Sequence, residues 1–525
     1  MKHEGRPPLW FWWIPAVVAA LRMLPVLSLR VTRPPAGSVY LGVSYLRKDF
    51  LAYAAFSRQV AVDGSFFFYN PFTTEPQDSR FVLIFHWLVG LVARVTSLSA
   101  IDTLEWSRVP LILLFFATLW WFLRPVLPDP KDRLAAALLV AFAGGLESWV
   151  RPFGPEWLPK RFDHRLQQDT SALHGWSVFG SFYNPLWIAG LTLALLVLRP
   201  LLFSGERSLR ALAGTACAFA VLFFVHPYSA LGVAAITAMS PVVTLLSRER
   251  LDWRRNLVNA AVLGVAGVVI GGISLWQLQD PVYRRSAGGV FGRQNLSALW
   301  YPLTLGVLGG MAVVGARRWI AARSPHRAAI FGWIAGIAVL HTLPILNGYK
   351  FVFLLPLPVC ILAAPIAREA LGRTRGPAAG RWLALGAGIA LFGGMLLQTL
   401  DAVRSARIVG ATPYALMRLV ETLSREPAGN ALVPPGLGNI LPAFTSHRVW
   451  AGHWFLTPDF RVREKMYQWF TTSRSAAEQF RAVLHEQRIR YLVVPAAGSD
   501  FVANQLGEDV VERRPHGELE LLILR

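Results

Sequence analysis

Asp49 stands in Tyr40-Leu-Gly-Val-Ser-Tyr-Leu-Arg-Lys-Asp49-Phe-Leu-Ala-Tyr53, a polar and aromatic-rich stretch just after the first apolar run of the chain. A carboxylate in such a setting marks a candidate active site at a membrane surface. The competing reading makes Asp49 the acid at the start of a short helix, interacting with its N-terminal amides. Further along, Glu156, Asp163-His164-Arg165, Gln167-Gln168-Asp169 and His174 lie in one polar segment. Asp163 and Asp169 offer carboxylates, and His164 or His174 offers an added ligand or proton carrier, but the spacing selects no metal. A solvated loop of paired charges is the alternative there. Arg284, Arg285 and Arg293 fall in a Gly-containing segment, where guanidiniums grip phosphate through two-pronged contacts or simply anchor to lipid headgroups. His226-Pro227-Tyr228 interrupts an apolar region and reads either as a tight turn between helices or as a substrate-facing imidazole. Finally, Gly438-Asn-Ile-Leu-Pro442 and Trp450-Ala-Gly-His453-Trp454-Phe-Leu-Thr-Pro-Asp459 put polar groups among aromatics. That composition suits a carbohydrate-facing loop, since flat rings stack on sugars while His and Asp supply hydrogen bonds. A packed aromatic turn against the membrane surface is the other reading.

The elements that position these residues are membrane helices. Hydrophobic residues make up 54% of the 525-residue chain, in repeated runs near the roughly 20 residues a bilayer demands. Predicted spans are Leu9 to Leu29, Trp106 to Leu123, Leu134 to Val150, Pro185 to Leu202, Leu209 to Val225, Tyr228 to Leu246, Leu257 to Trp276, Trp300 to Ala316, Ala328 to Leu346, Phe351 to Ile366 and Trp382 to Leu400. The length of the first run and its internal Arg22 favour a retained anchor over a cleaved signal. The net charge of +21 is carried by Arg clusters between apolar runs, such as 248–255 and 317–327, which reads as cytoplasmic anchoring and not as nucleic-acid binding. The stretch Phe81 to Leu98 is short and carries His86 and Arg94. Eleven spans result if it lies in the interface, with a cytoplasmic N-terminus and an external tail. Twelve result if it crosses, with an external N-terminus. In the eleven-span arrangement the loops 32–80 and 151–184, the segment 277–298 and the tail all face outward. Within the first loop, Phe50 to Val62 has helical apolar spacing consistent with a short amphipathic helix at the interface.

With Asp49, Tyr53, Gly64 and Asn70-Pro71 in its first external loop, the chain resembles the multi-spanning glycosyltransferases of the GT-C superfamily, which use polyprenyl-phosphate-linked sugars. The resemblance covers roughly residues 9 to 400 and is architectural. It implies that Asp49 is the catalytic base or helps hold a divalent cation, magnesium or manganese, with Asp163 and Asp169 as further candidate ligands. It also implies that Lys350, in Asn347-Gly348-Tyr349-Lys350, contacts the donor phosphate. A lysine that snorkels to the interface is the alternative for that position. Two acids separated by one residue, frequent in a second external loop of the family, are absent from the second long loop of this chain, which leaves the metal open. Tyr53, the 163–174 loop, His226, the arginines 284, 285 and 293 and His453 are then the candidate substrate-binding residues.

After Leu400 the apolar runs shorten, and residues 401–525 read as a small extracytoplasmic α/β domain behind an all-α membrane domain of residues 1–400 with about eleven transmembrane helices. Ser475-Ala-Ala-Glu478 fits a capping box, and Arg490 to Val494 and Glu520 to Leu524 read as strands. Cys217 and Cys360 both fall in apolar runs, so no disulfide framework or Cys-based metal site is available. Phosphate-binding loops of the Walker type, dinucleotide fingerprints, Gly-x-Ser-x-Gly elbows and His-Glu-x-x-His pairs are missing. The expected function is a sugar transferase in the cytoplasmic membrane whose partners are the bilayer, a polyprenyl-phosphate-linked sugar and a glycan, lipid or protein acceptor. The alternative is a transporter or lipid-handling protein that breaks no bond.

Overall fold

The structure, a computed structural model, describes residues 7–144, 178–203, 208–288, 300–324, 326–343, 348–372 and 378–525. They form two compact units. One comprises Met1–Leu24, Ser107–Gly272 and Phe291–Ala402, the other Pro25–Trp106, Ile273–Val290 and Val403–Arg525. The predicted residues Glu156, Asp163, His164, Asp169, His174 and Arg293 lie outside the described residues.

The first unit is helical. Among the described residues six helices are long and apolar enough to cross a membrane: Leu9–Val31, Ala100–Val126, Pro185–Phe203, Pro227–Leu246, Trp253–Gln277 and Leu385–Gly410. Shorter apolar helices cover Leu209–Val225 and Arg327–Thr342. The predicted run from Trp300 is a helix over Trp300–Ala321, kinked at Gly306, whose φ of 49° only glycine adopts without strain. Gly332 and Gly336 bring Arg327–Thr342 against Pro227–Leu246. A Cβ on Gly336 would lie 2.8 Å from the Ala235 carbonyl carbon, and one on Gly332 2.7 Å from the Ser240 Cα. This is the small-residue spacing that lets apolar helices pack backbone to backbone. Between the two glycines Trp333 is fully buried, and its Nε1–H donates to the Leu354 carbonyl at 3.1 Å.

The second unit contains a two-stranded antiparallel ribbon, β1 (Ser38–Tyr40) with β2 (Ala411–Pro413). It also contains a five-stranded sheet of β3 (Asn430–Leu432), β4 (Arg448–Val449), β5 (Ile489–Pro495), β6 (Val510–His516) and β7 (Leu519–Leu524), in the order β4-β3-β5-β7-β6. β3 is parallel to β4 and β5, whereas β7 runs antiparallel to β5 and β6. Tyr491, Leu492, Val493 and Val494 are all fully buried, the continuous apolar run of a strand covered on both faces. Phe470, Phe480, Leu484 and Val502, from helices Phe460–Thr472, Ala477–Glu486 and Ala496–Leu506, complete this core. Ser475 caps no helix, contrary to the expected capping box. A short 3-10 turn, Arg474–Ala476, precedes the helix, and the Ser475 hydroxyl pairs with that of Ser473 at 2.9 Å.

The stretch Phe81 to Leu98 forms a helix of 13 residues, Ile84–Thr96. At 1.5 Å per residue it is about 20 Å long, short of the roughly 30 Å hydrocarbon core. It packs on the helix Arg47–Asp63, where Gly90 gives room to the Ser57 carbonyl and the Val60 side chain.

His447 sets a pH dependence in this unit. Its Nδ1 accepts from the Gly429 N–H at 3.1 Å, so Nε2 carries the proton and donates to the Leu423 carbonyl at 2.7 Å. Burial pushes its pKa below the ordinary value of 6.5. A depressed folded-state pKa means that the unfolded chain takes up the proton first, so stability is retained above about pH 6.5 and declines as pH falls below it. In thermal unfolding of the full chain, His447→Gln, which keeps one acceptor and one donor, is expected to flatten the decline between pH 7 and 5. Identical slopes would show that His447 does not contribute to it.

Candidate functional site

The helix Arg47–Asp63 carries Asp49 in its first turn. Arg47 ties this helix start to the ribbon by donating to the Ala411 carbonyl and to Thr412 Oγ1, both at 2.8 Å. The residue before the helix, Leu46, has φ 41° and makes no side-chain cap. Asp49 itself binds no backbone amide among the described residues. Its Oδ1 lies 3.2 Å from His453 Nε2 instead.

The tautomer of His453 follows from its other nitrogen. Nδ1 faces the backbone N–H groups of Phe455 and Leu456, each at 3.3 Å, and must accept from both. The ring proton is therefore on Nε2 and points at the carboxylate. His453 is buried and Asp49 is 36% exposed, and among the described residues Oδ2 accepts no hydrogen bond. One oxygen is held and the other is presented.

The loop carrying His453 is fixed by the residues that the sequence grouped with Asp49. Asn70 Nδ2 donates to the Leu456 carbonyl at 2.7 Å, Thr457 Oγ1 donates to the Phe72 carbonyl at 2.8 Å, and the Val449 N–H donates to the Pro71 carbonyl at 2.9 Å. The Phe72 ring packs on the imidazole with centroids 5.7 Å apart, and Trp454 stacks on it at 6.1 Å. Gly438 to Pro442, expected in a loop, lies in a helix, Pro435–Phe444, started by a proline at its first position. Asn439 of that helix donates to the Lys48 carbonyl at 3.4 Å.

Gly438 and Gly452 meet backbone to backbone, and a Cβ on either would run into the other's segment. Gly438→Ala is therefore expected to push the 451–453 segment away from its place and cost about 1–3 kcal/mol, read as a lowered unfolding midpoint of the purified protein. An unchanged midpoint would mean that the two segments are not in contact.

Tyr53, one helical turn beyond Asp49, packs against Phe50 at 5.9 Å and against His86 at 5.1 Å. Arg284 and Arg285 lie in the helix Pro281–Gly288, which Asp280 caps by accepting from the Val282 and Tyr283 amides. The side chain of Arg284 is exposed and makes no hydrogen bond among the described residues. Arg285 pairs with Glu75, which also binds Arg463. Burial draws the Arg463 guanidinium down from its ordinary pKa, and the Glu75 carboxylate beside it opposes that shift. Sequence reasoning missed Glu75 because Arg463 is 388 residues away and no local pattern joins them.

His226 and Lys350 belong to the first unit. His226 caps the helix Pro227–Leu246, its Nδ1 accepting from the Ser229 N–H at 3.2 Å, so the tight-turn reading describes its backbone. Its ring packs on Phe353 at 5.1 Å, and Lys350 Nζ donates to the hydroxyl of the neighbouring Tyr228 at 2.8 Å.

Among the described residues no three His, Cys, Asp or Glu side chains gather as a metal set. As arranged, Asp49 and His453 form a hydrogen-bonded pair and not two ligands, because Nε2 points a proton at the carboxylate. The other expected ligands of a divalent cation, Asp163 and Asp169, lie outside the described residues, and no step below passes through a metal.

No protein-family model and no curated protein matches the sequence. Solved structures do match. ArnT from Cupriavidus metallidurans in the apo state superposes with a TM-score of 0.55 at 14% identity, covering 98% of this chain and 97% of that one. The same protein bound to undecaprenyl phosphate gives 0.54 at 16% identity, with the same coverage. The arabinofuranosyltransferase AftD from Mycobacteria gives 0.53 at 18% identity, covering 99% of this chain but 40% of AftD. Spread over nearly the whole chain, these superpositions establish that the protein has a GT-C-like fold, the fold of the GT-C glycosyltransferases.

Proposed function

We propose that the protein is a membrane glycosyltransferase that moves a sugar from a polyprenyl-phosphate carrier to a hydroxyl of a glycan, lipid or protein acceptor. The observation that carries this reading is the Asp49 carboxylate, held through Oδ1 by His453 while Oδ2 accepts no hydrogen bond among the described residues. A fixed, half-open carboxylate is what a general base requires. The acceptor O–H gives its proton to Oδ2 as its oxygen bonds to the anomeric carbon. The bond from that carbon to the carrier phosphate breaks, and its electron pair leaves with the phosphate. The leaving phosphate needs cationic stabilisation, and the reading assigns that role to the exposed Arg284. His453 and the aromatic loop around it orient Asp49 at the acceptor side.

The GT-C-like fold and the bound undecaprenyl phosphate of one structural neighbour support the carrier class. The alternation of basic connections supports eleven spans in the cytoplasmic membrane, with the N-terminus inside and residues 32–80 and the tail outside. The 13-residue length of Ile84–Thr96 favours that count over twelve.

Membranes containing the protein, supplied with radiolabelled polyprenyl-phosphate sugars and a panel of acceptors, are expected to transfer label above membranes lacking it. Silence across a broad donor and acceptor panel would sink this reading in favour of movement without bond breaking.

A further inference from the structure

We infer that the sheet of the second unit carries an oxyanion-binding site at the amino end of β5. It takes a phosphate monoester or carboxylate borne on an uncharged body. His453 follows β4, at the carboxyl end of the parallel strands, so this site lies at their opposite end. A cavity of about 610 Å³ opens there.

Arg488 and Arg490 line it from either side of Ile489, and Arg525 lines it from beyond β7, with His485 alongside. None of the three guanidiniums makes a hydrogen bond or ion pair among the described residues. Among the described residues no acidic side chain lines the cavity. Elsewhere on the same sheet arginines are neutralised: Arg513 binds Glu520 and Asp500, and Arg514 binds Glu512 and Glu426. Three guanidiniums with no acidic partner among the described residues, Arg490 lying over the Tyr491 ring at 5.6 Å, repel one another around one cavity, and a two-oxygen anion offsets that repulsion through paired N–H contacts. The floor is apolar, formed by the buried Leu484, Ile489 and Ile523, and Val511 at the rim is 62% exposed. An uncharged body attached to the anion would cover that rim.

The test is calorimetric titration of the full chain in a neutral maltoside detergent. Glucose 6-phosphate and glucuronate represent soluble sources, dihexanoyl phosphatidic acid a lipid headgroup, and glucose the uncharged control. At least one anion is expected to bind while glucose does not. Each of Arg488→Gln and Arg490→Gln should weaken it about tenfold, and the two together more. Preference for glucose 6-phosphate or glucuronate over the short-chain phosphatidic acid supports a soluble ligand, and the reverse preference supports a headgroup. Equal affinity of native protein and double variant would place the anion elsewhere and overturn the inference, as would absence of binding by all three anions.

Discussion

Asp49→Asn is expected to lower sugar transfer from a polyprenyl-phosphate donor by roughly 10²–10⁴-fold, the range a positioned general base contributes. The substitution is nearly isosteric, and the Asn side-chain oxygen can still accept from His453 Nε2–H, so the loop around His453 keeps its anchor. What is lost is the basic oxygen facing the acceptor. Donor binding is expected to persist, because the assigned phosphate contact, Arg284, is untouched. The decisive comparison is therefore label transfer beside donor retention, on membranes matched for protein content. Transfer by Asp49→Asn equal to native would remove Asp49 from the chemistry. The carboxylate would then be no more than a partner that orders His453.

The sequence made half of this site visible. Asp49, Tyr53 and Asn70-Pro71 stand out because one polar loop follows one apolar run, and helical spacing from Phe50 to Val62 matches the helix Arg47–Asp63. The strands expected at Arg490 to Val494 and Glu520 to Leu524 are β5 and β7, since uninterrupted Leu, Val and Ile between charged or turn residues leave few alternatives. Long-range partners are what local pattern omits. His453 and Asp49 are 404 residues apart, and neither the Gly438 to Gly452 crossing nor the Glu75 pairs leave any periodic trace. The capping box at Ser475 failed for a related reason. A Ser and a Glu three residues apart permit a cap, but Ala476 and Ala477 begin the helix just as well, and the hydroxyl found Ser473. Aromatics around Gly438 and Trp450 suggested one loop, yet prolines at 434 and 435 start a helix in the first segment while the second stays irregular.

His453→Ala is expected to reduce kcat roughly tenfold to a hundredfold, about 1.4–2.7 kcal/mol of transition-state free energy, with little change in KM for the donor. In this reading His453 is a positioning residue. It touches no reacting atom, but its Nε2–H fixes Oδ1 and so aims Oδ2, and the two amides on Nδ1 keep the ring from turning over. Without that donor the carboxylate samples several rotamers, and the fraction poised for the acceptor proton falls. Two controls separate aim from mere packing. His453→Gln places an amide N–H near the position of Nε2–H and should recover much of the lost kcat. His453→Phe fills the space between Phe72 and Trp454 without donating, and should remain as impaired as the alanine variant. Recovery by Phe and not by Gln would show that the ring matters only as packing, and the aimed carboxylate would have to be given up. A rise in donor KM with kcat unchanged would instead move His453 to direct contact with the substrate, the role its carbohydrate-like surroundings suggested from sequence.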